Sequence, residues 1–159
     1  MDVNVRDLNE IFHFGSSLQS FLNAYIGVLS QVGSAAQQDY TQARNNFNTI
    51  RTYTESAESN LQAAERELED AIDTANDYPE EDHSDRIEYL EAMVEEKRMV
   101  YERNKEALEE AESLLHNVKV NTDMVWEQVW RSRNQIQETG QNALRSIQKS
   151  ANAIASYKK

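Results

Sequence analysis

A chain of 159 residues whose single proline stands at its midpoint has few folds open to it. Pro79 lies in Asn76-Asp77-Tyr78-Pro79-Glu80-Glu81-Asp82-His83-Ser84-Asp85, a run of turn formers and acids. No comparable breaker occurs on either side. Proline cannot continue a helix, and it disfavours helical backbone at the residue before it. The pattern predicts an all-α fold, a long antiparallel helical hairpin in one elongated domain covering residues 1–159. Its first arm spans about 5–76, its turn 77–84 and its second arm about 85–157.

Composition supports long helices. There are only four glycines, and the hydrophobic fraction of 39% supplies a narrow seam more readily than a thick core. Arms of some 70 residues would each extend on the order of 105 Å. In the first arm the apolar residues step by three and four. The series is Leu18, Leu22, Tyr25, Leu29, Val32, Ala36, Tyr40, Ala43, Phe47, Ile50, Thr54, Ala57, Leu61, Ala64, Leu68, Ala71 and Ala75. This is a heptad seam with one extra four-residue step near Ala36. The second arm repeats the pattern through Ile87, Leu90, Val94, Lys97, Tyr101, Asn104, Leu108, Ala111, Leu115, Val118, Thr122, Val125, Val129, Ser132 and Ile136. It continues through Ala143, Ile147, Ser150 or Ala151, Ile154 and Tyr157. Polar residues at Lys97, Asn104 and Thr122 would cost stability but define register.

Asp2, Asn4 or Asp7 could cap the first arm, and Ser84 or Asp85 the second. Low helix propensity at Asn117, Asn121 and Thr122, together with Gly33, leaves an alternative in which both arms break into a four-helix bundle. Pairing of two chains is a second route to such a bundle.

A turn centred near Pro79 makes residues facing each other carry numbers that sum to roughly 159. Trp126 then faces Gly33, and Trp130 falls near Gly27 and Gln31. Large side chains opposite small ones are how facing layers interdigitate.

Charge is unevenly distributed. The net charge is −12, yet residues 55–112 hold 21 acids and 6 bases, and the remainder 7 acids and 10 bases. The balance argues against nucleic acid, whose phosphates require cationic side chains, and against adsorption to anionic lipid. The most apolar stretch, Leu8–Val32, is broken by polar residues and does not read as a membrane span. The start has no basic segment followed by an apolar one, so the expected location is cytoplasmic, or exported without a cleavable signal peptide.

Nothing points to catalysis or a cofactor. Cysteine is absent, which removes thiolate chemistry. The carboxylates are spread along helix faces, whereas acid–base catalysis needs two converging in a cleft. His13, His83 and His116 fall at no metal-ligand spacing. The turn groups His83 with Asp77, Glu80, Glu81, Asp82 and Asp85, but without the central glycine of a calcium loop. Tyr78 and Asp82 fit the Tyr-x-x-x-[Asp/Glu] tail signal of one bacterial secretion pathway, a match that seven tyrosines among 28 acids produce by chance.

The informative excess is apolar. Ile11, Phe12, Phe14, Leu18, Phe21, Leu22, Tyr25, Ile26, Val28, Leu29 and Val32 cover more than one stripe of a helix. Such a helix must pack against more than one neighbour. Phe12, Phe14, Phe21, Tyr25, Ile26, Val28, Trp126 and Trp130 are the candidate partner-binding residues, and the expected partner is another helical protein or a second copy of the chain.

An acidic, cysteine-free helical hairpin with the pair Trp126 and Trp130 resembles an enlarged WXG100 (ESAT-6-like) or LXG-type protein of type VII secretion. It is similar also to small helical partners encoded beside polymorphic toxins. Trp126-Glu127-Gln128 has no glycine where the WXG motif carries one, and it falls within an arm and not at the turn. The resemblance implies a non-catalytic export partner, adaptor or targeting scaffold that pairs with another helical protein. The alternatives are a structural coiled-coil spacer or self-assembling scaffold, and a metal-responsive switch at the turn.

Overall fold

The computed structural model describes residues 5–156, with side chains from Asn9 to Ser156. Two helices, α1 (Val5–Asp77) and α2 (Ser84–Ser156), make up the fold and pack against each other as an all-α hairpin. Each has 73 residues and neither breaks, at Gly33 or across 116–123. The four-helix alternative within one chain is thereby replaced by continuous arms. Low propensity costs only about 0.5 kcal/mol per residue, and packed neighbours outweigh it. Leu115, Val118, Thr122 and Val125 all sit in the seam there, and Thr122 is buried. The caps expected from the side chains of Asp2, Asn4 and Asp7, and the seam position of Tyr157, lie outside the described side chains.

The turn follows its chemistry. Tyr78 N–H donates to the Thr74 carbonyl at 3.0 Å, the last bond of helical type. Glu81 N–H then donates to the Tyr78 carbonyl at 3.2 Å, which closes a turn with Pro79 at its second position. The start of α2 differs from expectation. The His83 carbonyl accepts the first helical bond, from Ile87 N–H at 3.1 Å, so His83 occupies the cap position. The capping carboxylate belongs to Asp82, not to Ser84 or Asp85. Asp82 Oδ1 accepts from Ser84 N–H at 3.0 Å and from the Ser84 hydroxyl. The Ser84 hydroxyl bond, then its N–H bond, hold the Asp82 carboxyl below its ordinary pKa.

The described residues divide into two compact units. Unit 2 (Asp39–Lys119) is a heptad hairpin. The less exposed positions run from Tyr40 to Ala75 on α1 and from Ile87 to Val118 on α2 in alternating steps of three and four, with Met93 and Ala107 half-buried beside the α2 line. Ala57, Leu61, Ala64, Ala71, Leu90, Val94 and Ala111 are buried. Leu61, Ala64 and Val94 form one cluster, with Leu68 and Tyr101 against it. Polar seam residues mark the register. Thr54 Oγ1 lies 3.0 Å from the Ile50 carbonyl of its own helix and 3.2 Å from the Asn104 carbonyl across the seam. Asn104 Nδ2 donates back to the Tyr53 carbonyl at 3.4 Å. Lys97 sits at the rim with Nζ 3.8 Å from Glu96.

Unit 1 (Met1–Gln38 and Val120–Lys159) is built differently. On α1 the shielded positions are Ile11, Gly15, Leu18, Leu22, Ile26, Leu29, Gly33 and Ala36. Ile26 and Gly33 thus take the places expected for Tyr25 and Val32, which are exposed. The double four-residue step falls at Leu18–Leu22–Ile26, not near Ala36. The α2 seam from Val129 runs Ser132, Ile136, Gly140, Ala143, Ile147, Ala151 and Ile154. Both strings repeat every eleven residues, a period that does not call for the left-handed supercoil of heptads. Ala151, not Ser150, is the buried member of that pair.

Close approach explains the exchange. Gly33 is buried against Trp126, and a Cβ there would lie 2.8 Å from the ring carbon Cη2. The predicted Gly33–Trp126 meeting therefore holds. Gly140 faces Leu22, whose Cδ1 would lie 2.3 Å from a Cβ. The meeting of Trp130 with Gly27 does not occur. Nothing lies within 4 Å of a Cβ at Gly27, and Trp130 is 65% exposed. Both residues point off the seam, so equal level along the hairpin does not bring them together. Thr122 Oγ1 donates to the Ala36 carbonyl at 3.0 Å and anchors this unit's register.

Candidate functional site

The segment of α1 from Ile11 to Gln38 contains no Asp, Glu, Lys or Arg. A helix with one solvated face normally places charge there. Here the inner line, Ile11 to Gly33, packs on α2. A second line starts one step away, as Phe14, Leu18, Phe21, Tyr25, Val28, Val32 and Ala35. Its spacing alternates four and three, so these residues share one stripe of the helix. Only Leu18 belongs to both lines. Phe14, Phe21, Tyr25, Val28 and Val32 are all exposed, Phe21 at 66%. Phe21 and Tyr25 stack on each other with centroids 6.4 Å apart. Apart from Leu18, which it shares with the inner line, and Phe14, which borders a hollow beside Ile147 of α2, the outer line is a heptad stripe left exposed.

The residues expected to form one partner surface separate into three groups. Phe14 lines a hollow with Glu10, Ile11, Ser146, Ile147 and Ser150. Phe12 lines another with Gly15, Ser16, Gln19, Leu144, Ile147 and Gln148. The two hollows share only Ile147 and lie on opposite flanks of the seam. Phe21, Tyr25 and Val28 follow Phe14. On Phe12's flank the next hollow is lined by Gln19, Asn23, Arg133, Gln137 and Gln141, with Leu22, Ile26 and Gly140 at its floor. Seven residues before Gln137 and Arg133 stand Trp130 and Trp126, two turns back along the same flank. Ile26 belongs to the seam, half-buried between α1 and α2.

One flank is therefore an aromatic and aliphatic stripe. The other is a polar, glutamine-bearing groove with Phe12 and the tryptophans at its margins. The division was not visible in the sequence, because it depends on which line of α1 faces α2. Gly140, which admits Leu22 and helps choose that line, was absent from the expected seam.

The turn provides no comparable site. His83 Nε2 is 3.3 Å from the Tyr78 carbonyl and 3.9 Å from Glu81 Oε2, so the ring folds onto the turn's own backbone. Among the described residues no three His, Asp or Glu side chains are placed to hold a metal ion. Nor is any described helix long and apolar enough to cross a membrane.

No protein-family model matches the chain, and no curated protein or solved structure matches it.

Proposed function

We propose that this chain is a non-catalytic helical interaction module that binds another helix through the outer seam of α1 in unit 1. The observation that carries this reading is the exposed heptad Phe14, Phe21, Tyr25, Val28 and Val32 on a segment without a single charge. Contiguous exposed apolar stripes mark interaction sites on soluble domains, and a heptad stripe is the form a partner helix recognises. An adaptor or secretion and toxin partner of the WXG100 or LXG kind would use such a surface. A spacer would have no use for it and would carry polar side chains there.

The test is association through this stripe. Light scattering on the purified chain across a concentration series, alone and mixed with candidate helical proteins encoded beside it, should detect a complex that Phe21→Glu abolishes. A chain that stays monomeric at high concentration and forms no complex with any of them overturns the reading.

A further inference from the structure

We infer that the partner helix of the outer seam is α1 of a second copy of this chain, running antiparallel and centred on Tyr25. This rests on the interaction-module reading above and names the occupant of its surface.

Three observations select a second copy. The first is self-complementarity of size. With a two-fold axis at Tyr25, Phe14 faces Ala35, Leu18 faces Val32, and Phe21 faces Val28. Each pair sets a large side chain against a smaller one, the alternation that fills facing layers, and a two-fold interface requires a patch that complements itself. A parallel pairing would set Phe14 on Phe14 and Ala35 on Ala35, crowding one end and leaving a void at the other.

The second observation is charge. The whole chain carries −12, which opposes association of two copies wherever acids meet. The outer seam keeps them apart over its length, since Ile11–Gln38 is uncharged, and this pairing brings acids level, Glu10 with Asp39 of the second copy, only at its two ends. A basic partner would find no acid to pair with on this stripe, and an acidic one would gain nothing over a second copy.

The third is area. The five exposed residues of the stripe present roughly 600 Å² of accessible surface per copy, most of it apolar, so their complete burial in a pair would remove about 1,200 Å², the lower bound of a stable specific interface. The stacked ring pair Phe21–Tyr25 lies at its centre, where the largest contribution to binding is expected.

The experiment joins mass measurement to cross-linking, which the cysteine-free sequence makes clean. The wild-type chain should show a concentration-dependent mass of twice 18.3 kDa. The Phe21→Glu/Val28→Glu double variant should be monomeric with unchanged circular dichroism, and the milder Phe21→Ser should raise the dissociation constant at least tenfold. In a short bis-maleimide reaction Ala24→Cys, beside the axis, should link to itself. Ala35→Cys should not, because its two copies stand some 30 Å apart in this pairing. A mixture of Phe14→Cys and Ala35→Cys chains should link. Self-linking of Ala35→Cys overturns the antiparallel arrangement, and a dimer that survives the glutamates overturns the interface. A monomer that still forms a complex with a different helical protein, lost in Phe21→Glu, overturns the second-copy occupant while leaving the interaction-module reading standing. A monomer that binds nothing removes both.

Discussion

Units 1 and 2 are made from the same two helices and solve the packing problem in opposite ways. Unit 2 keeps strict heptads, contains no glycine, and surrounds a thin Leu and Ala seam with charge. Unit 1 holds all four glycines, shifts to an eleven-residue repeat, and carries a second apolar line on α1. Polar seam bonds occur in both, Thr54 with Asn104 in one and Thr122 with Ala36 in the other. The difference teaches that a charged heptad hairpin completes itself, whereas an uncharged helix with two seams is only half used by its own chain.

The largest effect separating the units should come from Leu90→Ala. Leu90 is 5% exposed in the heptad seam, and deleting its side chain should cost about 2–4 kcal/mol in denaturant unfolding. Leu22→Ala, half-buried in unit 1, should cost less. Equal losses would break the comparison.

Gly33→Ala comes next. The exchange improves helix propensity by about 1 kcal/mol but drives a methyl into the Trp126 ring, and overpacking costs about 1–3 kcal/mol. A net loss of about 1 kcal/mol with a red-shifted tryptophan emission is expected. Gly27→Ala tests the same propensity gain with open space around it, and it should stabilise by about 0.5–1 kcal/mol. Thermal melts of the two variants must therefore move in opposite directions. If both rise, Gly33 is not needed for close approach.

The smallest effect concerns the turn in unit 2. The Asp82 carboxyl is held below its ordinary pKa by the Ser84 hydroxyl and N–H. A depressed folded value means the cap contributes fully above about pH 4, where the unfolded carboxylate is ionised, and loses that contribution as pH falls further. Carbon-detected NMR titration should place the Asp82 midpoint below those of the exposed acids. Ser84→Ala should raise it, and an unmoved midpoint would remove the cap.

Much of this could be read from residues alone. The midpoint proline, the two arms, the charge split, and every seam position from Tyr40 to Ala75 and from Ile87 to Ile136 follow from periodicity. In those stretches one line on each helix keeps the three-and-four spacing without interruption, and other apolar residues, such as Tyr53, Val100 and Leu114, are exposed. Even the Gly33–Trp126 meeting follows from counting outward from the turn. The sequence also marked residues 11–32 as too apolar for one neighbour.

What it left open was which of two valid stripes on α1 meets α2. Tyr25 and Val32 satisfy the spacing as well as Ile26 and Gly33 do, and at the second position hydrophobicity favours Val32 over the glycine that packs inward. Tertiary structure decided it through volume. Gly33 and Gly140 leave room for Trp126 and Leu22, so the line containing glycine packs inward and the line richest in aromatics is left outside. Periodicity on one helix carries no information about space on the other, and only the packed pair supplies it.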